Sequence, residues 1–115
     1  MTAEAFEALA DEALKSLPEF FREKLVNVVI VVDTAPPRKR GGALLLGLYE
    51  GVPLSRRTQG YNGELPDKIT LYKRSIERIC GTDEEIKSQV AHTVMHEIAH
   101  HFGISDARLR ELGVY

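Results

Sequence analysis

Apolar residues near the start of the chain recur at helical intervals. Phe6, Leu9, Ala13, Leu14 and Leu17 share one side when successive residues turn by about 100°, so the spacing predicts a helix over residues 3–16. A further turn or two of helix is expected to open at Pro18, because proline suits the first helical position. The period then changes. Residues 27–32 form a β-branched run that predicts a buried strand, and residues 44–49 read as a second strand. Residues 68–73 alternate, with Ile69 and Leu71 on one face, and predict a third.

A long helix follows. Thr82-Asp83-Glu84-Glu85 is a capping-box pattern, with Thr82 as N-cap. Ile86, Val90, Val94, Ile98 and Phe102 form an apolar row at four-residue steps, and Ala91, Met95 and Ala99 form a second row about 100° away. A helix that is apolar on two flanks is central, and its remaining polar side must look into a cleft. The coarse order is thus α, β, β, β, α, and a short helix over residues 106–112 follows the long one. The pattern predicts one α+β domain over residues 1–115.

That polar side carries the chemistry. Residues 96–106 read H-E-x-x-H-x-x-G-x-x-D. Positions i and i+4 lie about 5–6 Å apart on one helix face, so His96 and His100 can converge on one ion. Glu97 lies about 100° round from His96, beside the ion, where it can take a proton from a metal-activated water. Gly103 permits the positive φ that commonly ends a helix, and the chain can then double back to bring Asp106 in as a third ligand. Three protein ligands leave a position for water, the arrangement of a catalytic zinc. Asp106 also suits the first turn of the short helix it opens, and the two roles are compatible.

The other histidines have different expectations. From residue 92 to residue 100 a helix rises about 12 Å, too far for both side chains to reach one ion. His92 is expected as a hydrogen-bonded residue below the site, and His101 as a surface or second-layer residue.

Composition narrows the setting. A net charge of −2 gives no electrostatic case for nucleic acid. The single cysteine, Cys80, excludes an intrachain disulfide and suits a reducing compartment, so a cytoplasmic location is expected. The first ten residues carry two glutamates and no basic residue, unlike a secretory leader. The longest apolar run is far too short to span a bilayer. Residues 35–42 read as a turn with solvated basic residues. Residues 51–67 form a long polar loop, expected to border the cleft because such loops in small domains are commonly functional.

The motif of residues 96–106, the phrase GISDARLREL at 103–112, and LYEGVPLSRR with LPDKITLYKRSIER at 48–57 and 65–78 resemble the small bacterial zincin-like metallopeptidase family. The resemblance implies a minimal zincin-like fold, a short mixed sheet packed on an N-terminal helix and a central active-site helix. It implies one zinc ion held by His96, His100 and Asp106, with Glu97 as general base. The wider metzincin clan usually has histidine where this chain has Asp106.

The expected activity is hydrolysis of peptide bonds in a peptide or unfolded protein laid against the edge of the second strand. Tyr61, in the long loop, is the candidate for stabilising the tetrahedral oxyanion. One alternative is a zincin-fold endoribonuclease, but such proteins resemble H-G-x-x-H, and Glu97 and the acidic charge argue against it. Another is a catalytically weak or inactive zinc-binding protein.

Overall fold

The computed structural model describes residues 1–36, 44–52 and 65–113. The elements run α1 (Ala3–Lys15), α2 (Glu19–Lys24), β1 (Val28–Asp33), β2 (Gly47–Glu50), β3 (Asp67–Tyr72), α3 (Lys73–Ile79), α4 (Asp83–Phe102) and α5 (Asp106–Glu111). This is the expected α+β arrangement, with a three-stranded mixed sheet in the order β1-β3-β2. β1 runs parallel to β3, with Ile30 opposite Ile69, and β2 runs antiparallel, with Tyr49 opposite Ile69.

β3 is the central strand, and Ile69, Thr70, Leu71 and Tyr72 are all buried. β1 departs from the expected buried strand. It lies at the sheet edge, and its burial alternates: Val28, Ile30 and Val32 pack against the core, whereas Val29 and Val31 are 44% and 40% exposed. A run of valines marks β-propensity, and whether one face or two is covered depends on neighbours far away in sequence.

Two helical details also differ. Pro18 is the N-cap of α2 rather than its first helical residue. No pattern in the sequence predicts α3. β3 passes directly into it at Tyr72, which caps without a side-chain hydrogen bond, so no Ser, Asp or Gly marks the start. Ser75 and Ile76 are its buried residues.

The core gathers Phe6 of α1, Phe21 of α2, Ile69 and Leu71 of β3, Ile76 of α3, and Val90, Val94 and Ile98 of α4, all fully buried. Each such side chain contributes about 1.5–3 kcal/mol through burial. Ile86 continues the predicted row of α4, while Phe102 at its end is 48% exposed. α4 therefore packs against α1 along one flank and β2 along another.

Both ends of α4 follow the sequence closely. The Thr82 hydroxyl accepts from the Glu85 N–H at 3.1 Å, and the Glu85 carboxylate accepts from the Gly81 N–H at 2.8 Å, one residue earlier than in a strict capping box. Gly103 takes φ +67°. The Ile104 N–H then donates to the Ala99 carbonyl at 2.8 Å and the Gly103 N–H to that of His100 at 3.4 Å, which satisfies two of the carbonyls in the last turn.

Candidate active site

The histidine side of α4 faces β2, and a cleft of about 350 Å³ lies between them. Residues 44–47 form one wall, and Gln89, His92, Thr93, His96 and Glu97 form the other. Gly47 allows the close approach. A Cβ there would stand 2.8 Å from Thr93 Cγ2 and 3.1 Å from the Thr70 carbonyl, so a larger residue would push β2 off the helix.

Glu97 is held from the strand. Its Oε1 accepts the Tyr49 N–H at 2.9 Å. The donor is available because antiparallel pairing turns main-chain groups alternately toward and away from the neighbour. The Leu46 carbonyl faces β3 and accepts from the Tyr72 N–H at 3.0 Å, and three residues on the Tyr49 N–H points outward to the helix.

The Tyr49 side chain is fixed as well. Its hydroxyl donates to Asp67 Oδ2 at 2.7 Å, and Asp67 Oδ1 accepts the Val52 N–H at 3.0 Å. The ring stacks on His101, with centroids 4.0 Å apart and planes inclined by 19°. His101 is thus an exposed residue that joins the helix to β2, in keeping with a place outside the ligand set. Sequence reading missed Tyr49 and Asp67. Their partners stand 48 and 18 residues away, and no local pattern announces contacts of that range.

The rings of His96 and His100 have centroids 6.0 Å apart. Two imidazoles bound to one zinc at about 2.0–2.1 Å place their centres roughly 5–6 Å apart, and the observed spacing lies at the wide end of that range. His92 lines the cleft, and its ring meets His96 edge-to-face at 4.4 Å, a ring contact where the sequence predicts a hydrogen bond. Burial, and then the neighbouring His96, hold its pKa below the ordinary histidine value.

Asp106 is the first residue of α5 and is exposed. The cap of that helix is Ser105, whose hydroxyl accepts the Arg108 N–H at 3.1 Å. Among the described residues, no three His, Cys, Asp or Glu side chains gather closely enough to hold an ion, so Asp106 does not join the two histidines in such a set. Tyr61 and most of the 51–67 loop lie outside the described residues, as do the basic residues of the 35–42 turn. Among the described residues no helix is long and apolar enough to cross a membrane.

Comparison with solved structures finds a conserved hypothetical protein from Thermus thermophilus. It is 29% identical with a TM-score of 0.60, and the match covers 89% of this chain and 94% of that one. No curated protein matches the chain. The family model of zincin-like metallopeptidases matches residues 25–114, a span that takes in all three strands, the cleft and the whole H-E-x-x-H-x-x-G-x-x-D motif. The chain belongs to the zincin-like metallopeptidase family.

Proposed function

We propose that the protein is a zinc-dependent metallopeptidase in which Glu97 is the general base. The observation that carries this reading is the placement of Glu97. Its carboxylate sits in the cleft beside His96, with one oxygen fixed by the Tyr49 N–H. His96 and His100 would hold the zinc, with Asp106 as the third ligand that the motif supplies. A zinc there supplies Lewis acidity, which polarises a carbonyl and lets a water lose its proton near neutral pH.

Glu97 Oε1 is occupied by Tyr49, so Oε2 is the oxygen that takes the water's proton. The water's oxygen bonds to the peptide carbonyl carbon, and as the C–N bond breaks Glu97 hands the proton to the leaving amine nitrogen. β2 lies at an edge of the sheet, and an extended peptide laid along it would pass the carboxylate. A net charge of −2 favours a peptide over a nucleic acid.

The competing reading is a zincin fold with a weak metal site and little activity. The absence of a converged set of three ligands among the described residues favours it. Assay of an unstructured protein substrate with zinc decides between the two. Glu97→Gln keeps the shape of the side chain and removes the base. Hydrolysis should fall by at least the roughly 10²-fold typical of a lost general base, with zinc content unchanged. A wild-type protein that binds zinc and cleaves nothing supports the weak-site reading.

A further inference from the structure

We propose that Asp67 is a positioning residue for Glu97, acting through Tyr49. This rests on the reading of Glu97 as general base. Asp67 is well placed to hold something still. It is the first residue of the central strand, and its own N–H donates to the Asn27 carbonyl at 3.1 Å, which ties it to β1 as well.

β2 is the opposite case. It has four residues, pairs with β3 on one side, and offers its other side to the cleft. A short edge strand paired on one side has little to resist twisting or sliding, and a slip would carry the Tyr49 N–H away from the carboxylate. Asp67 grips this strand at two points. Oδ2 takes the Tyr49 hydroxyl at 2.7 Å and Oδ1 takes the Val52 N–H, just beyond the strand, at 3.0 Å. His101, on the helix that carries Glu97, stacks on the Tyr49 ring at 4.0 Å. The tyrosine is thus fixed from both the sheet and the helix, and its N–H meets Glu97 Oε1 at 2.9 Å. One carboxylate therefore sets where the other carboxylate sits.

Amide hydrogen exchange of the full chain tests this, read at Tyr49 and Leu48. Leu48 pairs opposite Thr70, and alternation turns its N–H toward β3, so it reports the stability of the sheet alone. In Tyr49→Phe and in Asp67→Ala, the amide of residue 49 should exchange roughly three- to tenfold faster relative to that of Leu48, the worth of about one hydrogen bond. Asp67→Asn keeps an acceptor for Val52 and a partner for the hydroxyl, and should stay near wild type. In the first two variants kcat should fall with KM unchanged and zinc content full.

Equal acceleration at residues 48 and 49 would overturn the proposal, because a merely structural residue loosens the whole sheet. So would an unchanged rate at residue 49 in Tyr49→Phe. That variant decides the matter alone if Asp67→Ala does not fold. A wild type without peptidase activity would remove the reading of function, while the exchange ratio would still show whether Asp67 places Glu97.

Discussion

The two halves of the metal motif are built in different ways. His96, Glu97 and His100 ride on a helix of 20 residues whose opposite flank is sunk in the core through Val90, Val94 and Ile98. Asp106 opens a helix of 6 residues whose one buried residue is Leu109. The first half gains its precision from packing, because a side chain on a buried helix moves only if the core moves. The second half is placed by a turn, a cap and fewer apolar contacts, with Leu109 buried and Ile104 and Leu112 partly buried against the core. One short stretch of sequence therefore contains a rigid part and a part with few constraints, and regions with few buried contacts open at low cost.

Removing either histidine should have the largest effect. His96→Ala and His100→Ala should each lose stoichiometric zinc, measured by metal analysis of the folded protein. His92→Ala should keep it, because a rise of about 12 Å separates residue 92 from residue 100. Full zinc in His100→Ala would break the comparison, since the half fixed by packing would not then be the half that binds.

Asp106→Ala comes next. It should weaken zinc binding by at least the roughly 10–100-fold that follows loss of a hydrogen-bonding group behind a metal ligand, without melting α5, whose cap is Ser105. Zinc affinity equal to wild type, with α5 intact by circular dichroism and exchange, would leave Asp106 with only its role in the first helical turn.

Gly103→Ala separates the halves through the backbone. Nothing stands within 4 Å of an added Cβ, so its cost is the strain of φ +67° alone, about 1–2 kcal/mol in urea unfolding. Zinc affinity should fall in this variant only if the turn after the helix delivers Asp106. The smallest effect is expected from Ser105→Ala, about 1 kcal/mol. It should appear as faster exchange confined to α5, and acceleration that spread into α4 would show that the two halves are one cooperative unit.

Much of the site helix was legible in the chain. Its N-cap at Thr82 and its glycine stop at Gly103 appear as read, and so does its apolar row from Ile86 to Ile98, each step of which links residues four apart; only Phe102 at the end of the row is exposed. α3 was not legible, because Tyr72 and Lys73 carry the strand into a helix without a capping side chain. The burial of β1 differs for another reason. Val28–Val32 has the composition of a covered strand, but the sheet order puts it at an edge. The ring contact of His92, by contrast, is with His96 one turn along the same helix, a neighbour that helical spacing provides.

The sequence by itself determined the parts that local geometry dictates: a helix carrying His96, Glu97 and His100 on one side, its two ends, and the strands that flank it. The tertiary structure decided what meets that side. β2 lies against it because Gly47 leaves room for Thr93, and its Tyr49 N–H reaches Glu97 because strand order leaves β2 with an open edge. Asp67, 18 residues beyond Tyr49, then secures the strand. A helix pattern arises from neighbours one turn apart, which any window of sequence contains. The hold on Glu97 is a hydrogen bond across 48 residues, and only the closed chain brings those atoms to 2.9 Å.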